Sequence, residues 1–123
     1  MSVKQVSDIT VFQRHPIEAE RFSSAPERVV SGRCEQRLEN HYSDPSGQFH
    51  AGIWSGDEGC WRVCYTEHEF CTMLRGRVKL TDSQGESIIL AAGDFFVIPA
   101  GFEGLWEVLE PASKTYAVFD PKS

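Results

Sequence analysis

Short apolar runs separated by turn residues fill the chain from Val29 onward. The runs are rich in valine, isoleucine and aromatic residues, which strands prefer, and segments 44–47 and 82–85 between them favour turns. Many short strands at regular spacing predict an all-β antiparallel sandwich or barrel. The predicted strands cover residues 49–54, 60–65, 70–74, 77–81, 87–90, 95–98, 105–109 and 115–119.

The first 28 residues follow a different pattern. They mix apolar and polar types without a sustained period, and Pro16 and Pro26 interrupt them. We therefore expect an N-terminal arm over residues 1–28 and one domain over residues 29–123. Because proline suits the first turn of a helix, a short helix over residues 17–22 is predicted within the arm.

Composition narrows the classes of function. The chain has 123 residues, with 12 basic and 18 acidic side chains and a net charge of −6. This balance argues against nucleic acid and against an anionic membrane surface as partners, since both attract positive charge. The longest apolar run, residues 88–92, is far shorter than the roughly 20 residues of a spanning helix. With no apolar signal segment near Met1, we expect a cytoplasmic protein with four reduced cysteines.

Glycine and proline recur at fixed spacings in two segments. Glu69 is followed by six residues and then Gly76, and Gly93, Pro99 and Gly101 follow further along the chain. These spacings resemble the two motifs of the cupin superfamily. Over residues 52–119, the finer pattern resembles the small single-domain cupins grouped with the (S)-ureidoglycine aminohydrolase cupin domain and the ethanolamine-utilisation cupins.

This resemblance implies a specific fold. It is the RmlC-like cupin fold, a double-stranded β-helix or jelly-roll barrel with a pocket inside. It further implies a bacterial cytoplasmic protein that forms a homodimer. Exposed sheet edges in a small jelly roll also favour pairing, and residues 1–28 are the natural cover, either over the parent barrel or over a partner.

The metal ligands of the cupin family are largely missing. Metal-binding cupins use two histidines and a glutamate of the first motif and a histidine of the second, and only Glu69 remains here. One carboxylate cannot hold a transition metal, so we predict no metal and no other cofactor. The three histidine positions are occupied by Val63 and Tyr65, or by Arg62 and Cys64 with the alternative spacing, and by Gly104.

Zinc bound by cysteines is also disfavoured. Cys60, Cys64 and His68 lie four residues apart, which on a strand separates neighbours by about 13 Å. A looser site formed by Cys64, Glu69 and Cys71 across neighbouring strands stays open.

Residue parity predicts the pocket. Glu69 alternates with Cys71 and Met73, so the three share one face of a strand. A glutamate inside a barrel is costly unless donors satisfy it, and an interior lysine would pair with it. The predicted site consists of Glu69 as the catalytic residue and of Tyr65, Cys71, Met73, Trp106, Lys114 and Tyr116 as ligand-binding residues.

Alternative interpretations of these residues stay open. Glu69 is either a structural carboxylate, whose loss unfolds the protein, or a general base or ligand anchor, whose replacement by glutamine leaves the fold intact. Trp106 is either a core residue or an aromatic wall, and Lys114 is either solvated or interior. The histidines at positions 15, 41, 50 and 68 are expected at the surface.

Two classes of function follow. The first is a metal-independent module that binds a small polar molecule, such as an amine, a carboxylate or an amino-acid derivative. The second is a small-molecule enzyme similar to (S)-ureidoglycine aminohydrolase, with Glu69 as base or ligand anchor. A structural dimer without a ligand is a third interpretation.

Overall fold

The computed structural model describes residues 2–122, in which nine β-strands are joined by short connections. The helical elements of these residues are three-residue 3₁₀ turns, and none is long or apolar enough to cross a membrane. The strands are β1 Glu20–Ser23, β2 Val29–Gly32, β3 Glu35–Ser43, β4 Phe49–Gly56, β5 Gly59–Cys64, β6 His68–Asp82, β7 Ser87–Ala91, β8 Phe95–Ile98 and β9 Glu103–Phe119.

Two long strands, β6 and β9, hold the barrel together. They pair with each other along nearly their whole lengths, and each half of the pair belongs to a different sheet. The first sheet runs β1-β3-β4-β9-β6-β8, and the second runs β2-β5-β9-β6-β7. Every pairing is antiparallel. This two-sheet arrangement is the jelly roll that the resemblance to cupins implies.

Both long strands bend at the same level. The pairing of β6 with β9 shifts register around Arg75 and Arg77, opposite the segment that contains Pro111. Gly76 has a φ of 78°, and a Cβ there would lie 2.6 Å from Cα of Ala112. Glycine therefore permits both the left-handed backbone and the close approach of β9 at the bend.

The space between the sheets contains the hydrophobic core. Its centre is dominated by large side chains from both sheets, so the two sheets are stabilised by one shared core. The buried members are Cys34, Trp54, Trp61, Met73, Val78, Leu80, Leu90, Ile98, Trp106, Val108, Ala112 and Tyr116.

The strand predictions are confirmed, with one systematic difference. Segments 70–74 and 77–81 are both part of β6, and segments 105–109 and 115–119 are both part of β9. The bulges at the bend let the pairing continue through residues that otherwise favour turns. The turn at residues 44–47 is also confirmed, because the amide of Gly47 donates a 3.0 Å hydrogen bond to the carbonyl of Asp44.

The predicted helix over residues 17–22 is wrong. Residues Glu20–Ser23 form β1, which pairs with the first half of β3 and covers that edge of the first sheet. Further along β3, the ring of Phe12 stacks on His41 at a centroid distance of 4.5 Å. Part of the arm therefore folds over its own barrel. The division of the chain at residue 28 stays a prediction.

The outer face of the first sheet is apolar and exposed. Phe70 on β6 stands opposite Val97 on β8 and Ala117 on β9. Phe95 and Val97 are 72% and 61% exposed, and Phe70 is 48% exposed. Phe49 and Phe119, which are paired across β4 and β9, extend this apolar face.

Candidate functional site

A cavity of about 560 Å³ opens between the two sheets. The inward faces of the strands supply its walls, and the segment between β5 and β6 supplies part of its rim. It is lined by Glu20, Gln36, Leu38, Asn40, Ser43, His50, Trp54, Trp61, Val63, Tyr65, Glu67, Glu69, Trp106, Lys114, Tyr116 and Val118.

An ion pair lies in the wall of this cavity. Nζ of Lys114 lies 2.6 Å from Oε2 of Glu69, and the side chains are only 5% and 11% exposed. The thiol of Cys71 donates to the same Oε2 at 3.1 Å and accepts from Nζ of Lys114 at 3.3 Å. Lys114 on β9 and Cys71 on β6 lie on adjacent strands, so backbone pairing fixes this cluster of three groups.

The ammonium of Lys114 and the carboxylate of Glu69 stabilise each other's charged forms. Burial acts to lower the pKa of Lys114, but the Glu69 carboxylate beside it raises that pKa well above its usual value. Burial raises the pKa of Cys71 to about 12, so the thiol stays protonated. The cluster is therefore an ammonium, a carboxylate that it stabilises and a neutral thiol.

Aromatic rings enclose the lysine. Its Nζ lies 4.4 Å from the ring centroid of Trp106 and 5.5 Å from that of Trp54. The two indoles meet edge to face at 5.5 Å, and Trp61 lies next to Trp54. A cation over an indole face is stabilised by the ring quadrupole. The indole nitrogen of Trp106 is buried and has no hydrogen-bond partner among residues 2–122.

The side chain of Tyr116 extends over β4 toward β3 because a glycine, Gly52, stands opposite it on β4. A Cβ on Gly52 would lie 2.6 Å from the Tyr116 hydroxyl oxygen and would also collide with the carbonyl oxygen of Glu39. The Tyr116 hydroxyl donates to Oδ1 of Asn40 at 2.7 Å. Burial raises the pKa of Tyr116 to about 12, so the phenol remains a donor.

A polar chain continues from Asn40 to the rim. Nδ2 of Asn40 donates to Oγ of Ser43 at 2.8 Å, and that oxygen lies 2.6 Å from Nδ1 of His50. Nε2 of His50 lies 3.1 Å from the carbonyl of Gly47. Ser43 can donate to Nδ1 of His50 while Nε2–H donates to the carbonyl of Gly47. A neutral imidazole therefore satisfies both hydrogen bonds at this end of the polar network.

The structure brings most of the predicted site together. Five of the seven predicted residues line the cavity: Glu69, Tyr65, Trp106, Lys114 and Tyr116. Cys71 lies behind the ion pair and contacts its two members, while Met73, 1% exposed, packs in the core. These two residues share the face of Glu69 but do not line the cavity. The roles assigned to all seven stay predictions.

Sequence reasoning missed the polar wall contributed by β3 and β4. Asn40, Ser43 and His50 have no motif that marks them. His50, expected at the surface, is half-buried and lines the cavity, and His41, with a side chain 2% exposed, is buried. The sequence carries only a weak signal for β3, which is the two-residue spacing of Gln36, Leu38 and Asn40. This spacing places them on one face of a strand, and all three line the cavity.

The residues present do not fit the metal of other cupins. Val63 and Tyr65 line the cavity with Glu69, whereas Arg62 and Cys64 are exposed, so the first pair occupies the histidine positions. Neither side chain is a ligand that divalent ions favour, and the ammonium of Lys114 already neutralises Glu69. Within residues 2–122, no three His, Cys, Asp or Glu side chains come together as metal ligands.

The looser cysteine site does not form. Cys64 is exposed, and its thiol donates to Glu103 at 3.5 Å rather than facing Glu69. Parity explains this, because Cys64 is on the opposite face of β5 from the cavity-lining Val63.

Two sheets that share two bent strands around an internal cavity define a jelly-roll barrel of the cupin class. Residues 43–116 match the family model of the EutQ-like cupin domain, and the chain belongs to that family. No curated protein matches the chain.

Solved structures show the same fold. The EutQ protein of Clostridium difficile is 16% identical, with a TM-score of 0.73 over 98% of this chain and 86% of that one. A protein of unknown function from Pseudomonas syringae is 23% identical, with a TM-score of 0.74 over 83% of this chain; the match spans only 44% of that protein. KdgF from Halomonas is 17% identical, with a TM-score of 0.60 over 93% of this chain and 94% of that one.

Proposed function

We propose that this cupin binds a small polar molecule inside the barrel without a metal ion. The observation that carries the proposal is the Lys114–Glu69 ion pair in the wall of the cavity. It holds an ammonium and a carboxylate in fixed positions, and Glu69 is the one metal-ligand position of other cupins that this chain retains. The lining combines five aromatic side chains with eight polar or charged ones. Polar groups that converge on a concave site with aromatic walls are typical of small-molecule binding.

Free hydrogen-bonding groups support the same proposal. Both hydrogen bonds to Glu69 end on Oε2, which leaves Oε1 without a donor among residues 2–122. The Tyr65 hydroxyl has no partner in the same part of the chain, and burial raises the pKa of Tyr65 so that it stays a donor. Both groups are therefore available to hydrogen-bond a ligand that fills the cavity.

Tryptophan fluorescence tests this proposal directly, because all three tryptophans of the chain line the cavity. Small polar molecules are screened for a fluorescence change in the presence of a chelator. We expect binders whose affinity is the same with and without chelator and is lost in the cavity-filling variant Val63→Phe. The matched control is Val30→Phe, on the exposed strand β2. Binding that needs an added metal ion, or that survives Val63→Phe unchanged, would overturn the proposal.

An enzyme similar to (S)-ureidoglycine aminohydrolase is the second candidate. The free Oε1 of Glu69 favours it, because a general base needs an oxygen that the protein does not occupy. Turnover would then be observed with a bound molecule, and the pH dependence of the rate would report the ionisation of this cluster. A ligand that binds and is recovered unchanged supports the binding module instead.

We propose further that the chain forms a homodimer in a bacterial cytoplasm. The location rests on the resemblance and on four free thiols. The exposed apolar face of the first sheet supports the dimer, and we propose that a second copy of the chain covers this face. Its six most prominent side chains, Phe49, Phe70, Leu74, Phe95, Val97 and Phe119, expose roughly 600 Å² in total. A stable interface buries about 800 Å² per partner, and monomers rarely expose such a patch.

A further inference from the structure

A groove of about 440 Å³ opens beside the cavity. It lies between the segment that joins β1 to β2 and the second half of β5, and both Arg28 and Arg62 line it. Five side chains line the groove and the cavity alike, so the two spaces are continuous: Gln36, Trp61, Val63, Tyr65 and Glu67. One molecule can therefore occupy both spaces.

Two arginine side chains meet at this groove. Val29 pairs with Trp61, and one step further along the same register Arg28 and Arg62 stand across from each other. None of the ion pairs and side-chain hydrogen bonds among residues 2–122 includes either guanidinium. Like charges across from each other on neighbouring strands are destabilising. An anion between the two guanidinium groups would remove this repulsion and would receive charge-assisted hydrogen bonds.

The groove and the cavity differ in their balance of charge. In the described part of the chain, one carboxylate, that of Glu67, lines the groove with the two arginines, which leaves one positive charge in excess. The cavity holds Glu20 and Glu67 beside the ion pair of Glu69 and Lys114, which is neutral as a whole. A negative group is therefore favoured at the groove and disfavoured in the cavity.

Tyr65 offers a hydrogen bond where the groove meets the cavity. Its ring packs against Phe102, with the centroids 6.2 Å apart, and its side chain lines both spaces. The hydroxyl, which has no partner among residues 2–122, stays protonated because burial raises the pKa of Tyr65. It is a donor for an uncharged polar group that enters the cavity from the groove.

We infer that the ligand of this cupin is a small organic acid that lies across both spaces, with its carboxylate between Arg28 and Arg62 and an uncharged polar end in the cavity. This inference rests on the proposed binding function and names the chemical class of its ligand. The single excess positive charge of the groove matches one carboxylate, and forked guanidinium groups suit its planar geometry. Arg28 lies outside residues 43–116, which match the family model, so the N-terminal arm supplies part of this subsite.

Three probes of matched length test the charge of the ligand. Hydroxyhexanoate, hydroxyhexanamide and aminohexanol share a six-carbon chain with a terminal hydroxyl, and their other end is anionic, neutral or cationic. Tryptophan fluorescence is titrated with each probe at low ionic strength, since Trp61 lines both spaces. We expect hydroxyhexanoate to bind about tenfold or more tightly than the other two, and this advantage to shrink as salt screens the arginines.

Variants assign the effect to the groove. Arg28→Gln and Arg62→Gln are each expected to weaken hydroxyhexanoate binding roughly two- to fivefold, the effect of losing a partly screened charge contact, and to leave hydroxyhexanamide binding unchanged. Glu67→Gln should instead tighten hydroxyhexanoate binding by a similar factor, because it removes a repelling carboxylate. The matched control is Arg33→Gln, at an exposed arginine of the β2–β3 connection that lines neither space.

The outcomes separate the two proposals. Binding of hydroxyhexanamide or aminohexanol as tight as that of hydroxyhexanoate refutes the organic acid and leaves the binding function intact. The organic acid is also refuted if hydroxyhexanoate fails to bind at its solubility limit, if both arginine variants bind it like the parent protein, or if Arg33→Gln weakens it equally. The wider screen and the Val63→Phe variant decide the binding function independently.

Discussion

Lys114 and Glu69 form a buried ion pair, with Nζ of the lysine 2.6 Å from Oε2 of the glutamate. Each charge is stabilised mainly by the other. Removing one partner leaves the other charged and poorly solvated. Glu69→Gln and Lys114→Met are each expected to reduce the free energy of unfolding by about 3–5 kcal/mol. The structural-carboxylate interpretation of Glu69 predicts this loss of stability, whereas the ligand-anchor interpretation predicts that Glu69→Gln leaves the fold intact.

The double variant Glu69→Gln/Lys114→Met provides the control, because it removes both charges together. We expect it to recover most of the lost stability in denaturant unfolding while still failing to bind ligand. Single variants as stable as the parent protein would show that the pair is solvated in solution.

Alkaline pH should destabilise the protein through Cys71. Burial raises the pKa of this thiol from its usual 9.0 to about 12. Above pH 9.0 the unfolded chain loses the thiol proton while the folded protein keeps it, so the free energy of unfolding falls as pH rises. Lys114, whose pKa is also raised, adds stability that is present below pH 10.5 and is lost at higher pH.

Denaturant unfolding between pH 9.0 and pH 10.5 measures this effect. The slope for one thiol approaches about 1.4 kcal/mol per pH unit. Cys71→Ser should reduce this slope, since serine does not titrate, and the slope that remains comes from the other groups with raised pKa values, such as Cys34, Cys60 and Tyr116. Cys64→Ser, at an exposed thiol, serves as the control. An unchanged slope in Cys71→Ser would contradict the burial of this thiol.

A methyl group at Gly52 should disrupt the cavity. A Cβ there meets the Tyr116 hydroxyl and the Glu39 carbonyl, so Gly52→Ala is expected to cost about 1–3 kcal/mol of stability and to displace the phenol from Asn40. Ser83→Ala, at an exposed position of the β6–β7 connection, serves as the control. Unfolding free energies and ligand affinity check the effect; a stable variant with unchanged binding would argue against this close packing.

Protein purified without chelator should contain less than one metal ion per chain. The histidine positions hold Val63 and Tyr65, and the remaining carboxylate is bound to Lys114. Elemental analysis measures the content. About one manganese, iron, nickel or zinc ion per chain, lost on mutation of Glu69, would disprove the prediction.

The homodimer should dissociate when a charge enters the apolar face of the first sheet. Val97→Glu places a carboxylate beside Phe70 and, in a dimer, opposite the same face of the partner. We expect light scattering to give about twice the 13.8 kDa of one chain for the parent protein and a single-chain mass for the variant. Glu86→Gln, at an exposed position of the β6–β7 connection, should remain dimeric. A parent protein that is monomeric at micromolar concentration would exclude this interface.

The predicted strands of the barrel were readable because their inward positions are apolar and their ends carry glycine or proline. Strand β3 could not be predicted in the same way. Its inward residues Gln36 and Asn40 line the cavity and are polar, so they break the alternation of apolar and polar positions. The interior pairing of Lys114 with Glu69 was one of the two open interpretations of that lysine. Parity alone could not tell that Met73 lies in the core, since it fixes the face of a strand and not the depth along the barrel.

The placement of β9 also determines when this chain can fold. Residues Glu103–Phe119 pair with β4, β5 and β6, so neither sheet has its central strand until they have been synthesised. A chain emerging from the ribosome therefore exposes apolar strands until β9 has also emerged, and the barrel cannot close before then. Closing such sequence-distant pairs is intrinsically slow, and during that interval the unpaired edges of β4, β5 and β6 are exposed to aggregation.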